Sequence, residues 1–181
     1  VDRINKKALA QQQEFGALYR GKLLPALARN GIRILRDDQL TNVQKEHVRL
    51  FFAERIAPLL NTAAVRPGNA PFIEDRKLYF ACRLRPKGKQ KERLVLLNIP
   101  SDELGRFIPL PSRKGHSDMI FLDDVMRVRL AALFTGHKVM GCYAIKLSRD
   151  AELYLDDEFV GNVKEKVRKS LRKRQTGAPS R

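Results

Sequence analysis

The chain has 181 residues, with 36 Lys and Arg against 20 Asp and Glu, a net charge of +16 and 43% hydrophobic residues. This hydrophobic content supports a buried core and excludes a globally disordered protein. No run approaches the roughly 20 apolar residues that cross a bilayer, and the N-terminus carries no secretory apolar block. Cys82 and Cys142 lie in apolar, strand-like stretches that are typical of buried thiols, so we expect a reducing, cytoplasmic location.

The N-terminal part of the chain, residues 4–57, is predicted to be mainly helical. In its first half, apolar residues recur every three or four positions up to Asn30-Gly31, a pair that tolerates the left-handed backbone ending a helix. A β-branched run at 32–35 predicts a short strand. Thr41 and Gln44 then have the spacing of a capping box, which predicts the start of a second helix.

The middle of the chain, residues 72–148, is rich in predicted strands. Two apolar runs at 77–84 and 92–99 flank a basic sequence with Pro and Gly, which indicates an antiparallel hairpin. The stretch 58–75 contains Pro-Gly-Asn and predicts a connecting loop. The remaining predicted elements are strands at 106–110, 119–122 and 139–148, a helix from Asp123 or Asp124 to Phe134, a helix at 159–174 and a flexible tail at 175–181. This order predicts an α+β fold with a mainly antiparallel sheet covered by helices.

Motifs for familiar phosphate chemistry are missing from the sequence. It has no Gly-rich phosphate loop and no serine in an activating motif, and His47, His116 and His137 stand singly without zinc-site spacing. The acidic clusters at 123–124 and 156–158 suit Mg²⁺, but both occupy predicted helix N-termini, where negative charge is favourable without a metal. We therefore predict helix capping there, and no catalytic or metal-binding residue in this chain.

Positive charge is clustered in two places. The first cluster alternates around the hairpin: Arg83, Arg85, Lys87, Lys89, Lys91 and Arg93. Such a tip attracts phosphate chains, but the same charges protect an exposed hairpin from aggregation, and both interpretations stay open. The second cluster lies on the predicted final helix at 164–174, where a solvated face is favoured. Because aromatic residues make up only 7%, a polyanion would be recognised through phosphates rather than bases.

Several segments together resemble the middle, or head, domain of the class 1 polyphosphate kinases. In chain order they are EFGALY at 14–19, residues 40–58, IPSD at 99–102, RFIPLP at 106–111, MIFLDD at 119–124 and KLSRDAE at 146–152. Their joint order and spacing cover nearly the whole chain. The resemblance implies that residues 1–174 form such a domain, with a fold similar to that of phosphohistidine phosphatase.

The resemblance also implies an enzyme that reversibly transfers the terminal phosphate of ATP to inorganic polyphosphate, with Mg²⁺, through a phosphorylated histidine. In this family, that histidine belongs to C-terminal catalytic domains related to phospholipase D, and an N-terminal helical domain helps to hold the adenine. Neither part is expected within this chain. We therefore expect a structural and assembly domain of an enzyme that is at least dimeric, inactive when isolated.

Basic residues at two places are candidates for the polyphosphate or nucleotide path: Lys146, Arg149, Arg85, Lys87, Lys89 and Lys91. Arg149 and Asp150 could instead form a structural ion pair at a strand end, and the hairpin could touch a neighbouring subunit. Two other function classes stay open. One is a free-standing basic module that binds RNA or DNA phosphates, and the other is a small phosphatase on the similar fold, which would need a histidine acting as a base.

Overall fold

The computed structural model describes residues 2–148, which form two compact units. The first unit contains residues 2–55 and 104–128, and the second contains residues 56–103 and 129–148. Each unit has its own β-sheet. The architecture is mixed α+β, as the order of predicted elements indicated, but the strands form two sheets in place of the single mainly antiparallel sheet that was predicted.

The elements follow one another as five α-helices and seven strands within the described residues. The helices are α1 Asp2–Leu18, α2 Leu24–Arg29, α3 Asn42–Phe51, α4 Ser101–Leu104 and α5 Leu122–Leu133, and the strands are β1 Ile32–Leu35, β2 Thr62–Val65, β3 Leu78–Pro86, β4 Arg93–Ile99, β5 Phe107–Leu110, β6 Ser117–Phe121 and β7 His137–Lys146. Short π-helical segments at Tyr19–Leu23 and Phe52–Ile56 join α1 to α2 and extend α3.

The first unit has a three-stranded sheet with β6 at its centre. Strand β1 pairs with β6 in parallel, and β5 pairs with β6 in antiparallel orientation. The predicted capping box at the start of α3 is confirmed: the Gln44 backbone N–H donates to Thr41 Oγ1 at 3.3 Å, and the Thr41 N–H donates to Gln44 Oε1 at 3.0 Å. Gly31 has φ +77°, so the chain turns out of α2 there and enters β1.

The first helical segment carries an apolar face that is not buried. Its exposed large side chains are Ile4, Leu9, Phe15, Leu18 and Leu23. Helix α1 contains no buried residue, whereas α2 lies beside β1. The apolar periodicity therefore predicted the helix correctly, although it did not indicate that the apolar face would be exposed.

The second unit has a four-stranded antiparallel sheet in the order β2-β4-β3-β7. The predicted hairpin is confirmed as β3 and β4. The loop predicted over 58–75 is wrong for residues 62–65, which form β2 and pair with β4, Thr62 standing opposite Leu97. A segment as short as Thr-Ala-Ala-Val has weak strand propensity, and its pairing depends on a partner that is distant in sequence.

Each unit buries its own apolar side chains. In the first unit these are Leu35, Leu40, Val48, Phe52, Ile108, Leu110, Ile120, Leu122, Val125 and Met126, and in the second they are Ile56, Phe80, Cys82, Leu84, Leu96, Leu97, Ile99 and Leu130. Within β3, alternate residues are buried, so the strand has a single apolar face. In β4 only one end is covered on both faces, because Leu94 is 38% exposed.

Two helices differ from the predicted elements. Helix α5 begins at Leu122, so Asp123 and Asp124 lie in its first turn and do not precede it as caps. The short helix α4 was not predicted. The predicted helix at 159–174, the tail at 175–181 and the second cationic cluster lie outside the described residues. No helix within residues 2–148 has the length and apolar character needed to span a membrane.

Candidate anion-binding site

The turn between β3 and β4 is joined both to its own strands and to the start of β7. The Lys89 N–H donates to the Pro86 carbonyl at 3.1 Å, closing a tight turn in which Gly88 has φ +75°. A left-handed conformation of this kind favours glycine. The Lys87 N–H donates to the carbonyl of Gly136 at 2.9 Å. The turn therefore has a defined position beside the residue that precedes β7.

Seven cationic side chains lie at this end of the second sheet: Arg83, Arg85, Lys87, Lys89, Lys91, Arg93 and Lys138. We refer to this set as the cationic end. The predicted candidates Lys87, Lys89 and Lys91 are all exposed. Sequence reasoning missed Lys138, which stands opposite Arg85 on β7 and is also exposed. The strand was predicted one residue too late to include it, and no local signal identifies β3 as the partner of β7.

Glu92 is the one carboxylate within residues 83–93, and it is shared by two arginines. Arg85 Nη2 donates to Glu92 Oε1 at 2.7 Å, and Arg83 Nε donates to Oε2 at 3.0 Å. These guanidinium groups, Arg85 first, hold the pKa of Glu92 below its usual value. Arg85, a predicted site residue, is thus partly neutralised, although its buried Nε has no hydrogen-bond partner among the described residues.

Lys146, another predicted site residue, lies at the opposite end of the same sheet. It stands opposite Leu78, whereas Pro86 at the cationic end stands opposite His137. Eight residues of strand separate these positions, or about 26 Å at 3.3 Å per residue. The structure does not bring Lys146 together with the hairpin candidates. Arg149 lies outside the described residues.

The end of the sheet near Lys146 has mixed charge. A cleft of about 330 Å³ there is lined by Lys77 and by three carboxylates, Glu74, Asp102 and Glu103. Lys77 forms an ion pair with Asp102, and these carboxylates, Asp102 first, raise its pKa above the ordinary lysine value. An anionic ligand would be repelled by the carboxylates that remain. The two ends of the second sheet therefore differ in their suitability for phosphate.

In the first unit, the ion pair between Arg33 and Asp118 has a structural role. The side chain of Asp118 is 2% exposed and accepts from Arg33 Nε and Nη2, both at 2.7 Å, in bidentate geometry. Gln44 Nε2 donates to Asp118 Oδ2 and to the Pro111 carbonyl, both at 3.0 Å. The Arg33 guanidinium lowers the pKa of Asp118. Sequence reasoning missed this network, because nothing local relates residues 33 and 118.

The first unit also has a larger cleft of about 530 Å³. Its lining is mainly apolar and includes Tyr19, Leu24 and Ile34, with Arg20 and Asp124 among its polar members. Burial, and then the neighbouring Asp123, raise the pKa of Asp124. The cleft is also lined by Arg33 and Arg36, but Arg33 pairs with Asp118 and Arg36 pairs with Asp38. The three turn lysines of the cationic end are exposed, so the cationic end is the better candidate for an anion.

The three histidines contact groups that do not form a recognisable catalytic arrangement. The ring of His47 stacks on that of Phe51 at 6.2 Å, and His116 Nε2 lies 2.9 Å from Arg113 Nη2. His137 Nδ1 lies 3.4 Å from the Thr135 carbonyl. Among residues 2–148, no group of three or more His, Cys, Asp or Glu side chains is arranged to hold a metal ion.

Comparisons with known proteins by family profile, by sequence and by structure agree with one another. Residues 43–181 match the profile of the polyphosphate kinase middle domain. The chain is 31% identical over 188 residues to the polyphosphate kinases of Vibrio cholerae and Escherichia coli K12, covering 100% of this chain and 26% and 27% of those proteins. The crystal structure of polyphosphate kinase from Porphyromonas gingivalis superposes with a TM-score of 0.74 at 30% identity, covering 81% of this chain and 25% of that one. The chain thus spans about a quarter of the length of these relatives.

Proposed function

Given that this chain belongs to the polyphosphate kinase family, we propose that it is the middle domain of an enzyme that reversibly transfers the terminal phosphate of ATP to inorganic polyphosphate. The transfer proceeds through a phosphohistidine that lies outside this chain. In support, the rings of His47, His116 and His137 lie beside the Phe51 ring, the Arg113 guanidinium and the Thr135 carbonyl, respectively. The isolated chain is inactive in this proposal.

ATP and Mg²⁺ are bound by other parts of the enzyme. The residues described here do not fit a Mg²⁺ site, which needs ionised carboxylates with open coordination positions. Asp123 pairs with Arg106 at 3.3 Å, and among residues 2–148 no group of three or more His, Cys, Asp or Glu side chains is arranged to hold a metal ion. No step of the reaction is therefore assigned to a metal ion on this chain.

The contribution of this chain is positive potential and contacts between subunits. Phosphoryl transfer between polyanions depends on electrostatic stabilisation of phosphate oxygens. The observation that carries this proposal is the cationic end, where Glu92 pairs with only two of the seven cationic side chains and the three lysines of the turn are exposed. We assign to it the attraction of polyphosphate. The enzyme is cytoplasmic and at least dimeric in this proposal, and its middle domain has a fold like that of phosphohistidine phosphatase.

The test replaces Lys87, Lys89 and Lys91 with Gln in the full-length enzyme. We expect weaker polyphosphate binding, and a slope of log affinity against log salt that is shallower by about 2, since each lost phosphate contact removes roughly 0.7. A charge-matched control replaces Lys6, Lys7 and Lys22, all exposed in the first unit. Sedimentation of both variants reports the subunit number.

An unchanged slope in the turn variant would remove the cationic end from the polyphosphate path. Equal losses in both variants would indicate a non-specific effect of net charge. A loss of subunit assembly without a change in slope would assign the turn to subunit contact instead. Competition by RNA at matched phosphate concentration separates a nucleic-acid module from a polyphosphate site, because only the former prefers RNA.

A further inference from the structure

Two cysteines face each other across strands β3 and β7. Cys82 and Cys142 are register partners in this antiparallel pair, so their side chains project from the same face of the sheet. Their Sγ atoms are 3.9 Å apart, and both are thiols. Sixty positions separate them in sequence, which makes the pairing a product of the fold.

The geometry suits a cross-strand bond. Residues directly opposite in an antiparallel pair have Cα atoms about 4.5 to 5.5 Å apart, which lies within the range that disulfides span. The sulfur atoms need to approach by about 2 Å to reach bonding distance, a change that side-chain rotation can supply. The pairing is interrupted between Arg83 and Leu84, next to Cys82, so the strand is irregular beside the pair.

The two thiols differ in access. Cys82 is 0% exposed, whereas Cys142 is partly exposed. An oxidant from solvent can therefore reach Cys142 first, and the buried partner is held next to it. This division between a reacting thiol and a resolving thiol is what efficient disulfide formation requires.

We propose that Cys82 and Cys142 form an oxidation site that takes a hydroperoxide and closes to a disulfide linking β3 to β7. The Cys142 thiol, after losing its proton, attacks hydrogen peroxide; a sulfenic acid forms and one water leaves. The Cys82 thiol then attacks the sulfenic sulfur, the S–S bond forms and a second water leaves. The two thiols are oxidised by two electrons in total, and the peroxide is reduced to water. The link fixes β7, and with it the strand end at Lys146, on the inner strand β3.

The experiment treats the protein in its full natural length with hydrogen peroxide, blocks remaining thiols with a maleimide and digests with trypsin. Cleavage after Lys and Arg places Cys82 in peptide 78–83 and Cys142 in peptide 139–146. We expect these two peptides to appear joined, with a mass lower than their sum by two hydrogen atoms. Dithiothreitol should separate them, and the linked protein should unfold several degrees higher than the reduced one because the cross-link restricts the unfolded chain.

Two single variants, C82S and C142S, test the separate roles of the two thiols. In C82S the resolving thiol is missing, so Cys142 should persist as a sulfenic acid that dimedone traps, whereas the wild type should give little adduct. In C142S, Cys82 should stay unmodified at the same peroxide concentration, because it is buried. A wild type in which Cys142 is over-oxidised or alkylated while Cys82 remains a thiol would overturn the proposal, as would a Cys142 disulfide to a different cysteine.

Discussion

Two carboxylates, Asp118 in the first unit and Glu92 in the second, each accept hydrogen bonds from two side chains. Asp118 receives Arg33 and Gln44, and Glu92 receives Arg83 and Arg85. In both cases the pKa of the carboxyl is lowered, because neighbouring guanidinium groups favour its ionised form. The side chain of Asp118 is 2% exposed, however, and that of Glu92 is 25% exposed.

The balance of charge also differs between these regions. Around Asp118, one guanidinium group meets one carboxylate and the remaining donor, Gln44, is neutral. At the cationic end, seven cationic side chains lie near one another, and Glu92, the one carboxylate within residues 83–93, pairs with Arg83 and Arg85. A buried and balanced pair contributes to stability through satisfied hydrogen bonds, whereas an exposed and unbalanced group adds little stability and attracts anions. Ion pairs of similar geometry are therefore expected to have different effects. The burial of the pair should set its contribution to stability, and the surplus charge should favour the binding of anions.

The largest effect is expected from Asp118→Asn. This change removes the negative charge that meets Arg33 in bidentate geometry and places an amide N–H₂ beside donors. Because Arg33 is 42% exposed and can be hydrated, we expect a loss of about 2 to 3 kcal/mol in the free energy of unfolding, less than for a fully buried pair. Urea titration measures it.

The matched control is Asp38→Asn, which also removes a carboxylate from an Arg–Asp pair. Asp38 meets Arg36 at 3.1 Å with both side chains more than 60% exposed. We expect a loss below about 0.5 kcal/mol. Similar losses in the two variants would show that burial does not set the contribution of these pairs.

Two aspartates, Asp118 and Asp124, should change the pH dependence of stability in opposite directions. The folded pKa of Asp118 is lowered, so its stabilisation is present above the unfolded value of about 3.9 and is lost as the pH falls through the folded pKa. The folded pKa of Asp124 is raised by burial, so its contribution is present at low pH and is lost as the pH rises through the folded pKa.

Unfolding titrations between about pH 5 and pH 2 should therefore separate two variants. Asp118→Asn should flatten the acid loss of stability relative to the wild type, and Asp124→Asn should make it steeper. Parallel curves for the wild type and both variants would contradict the assigned directions.

The local parts of this molecule could be predicted from sequence. The Thr41–Gln44 capping box needs residues three positions apart, and the β3–β4 hairpin needs a short basic turn, so both were recognised. The family was also recognised, from short segments whose order spans the chain. These signals lie within a few residues of each other or in an ordered series, which a single sequence displays directly.

The contacts that define the two carboxylate regions could not be predicted in the same way. Arg33 and Asp118 are 85 positions apart, and Lys138 reaches the hairpin only because β7 pairs with β3. Strand β2 was missed for the same reason. Pairing between distant strands depends on the packing of the whole unit, and neither composition nor periodicity contains it. The binding of polyphosphate by Lys146 or by the turn lysines stays a prediction.

The smallest change in stability, and an increase in binding, are expected from Glu92→Gln in the full-length enzyme. The variant removes the carboxylate that partly neutralises Arg83 and Arg85, so both guanidinium groups become available to phosphate. We expect tighter polyphosphate binding at low salt and a salt slope steeper by about 1, with an unfolding midpoint close to that of the wild type. The matched control, Glu103→Gln, also removes a carboxylate, but from the cleft at the opposite end of the same sheet, and should leave the slope unchanged. If Glu92→Gln weakens binding, the Glu92 bridge orders the arginines for phosphate, and the surplus of charge is not what attracts the anion.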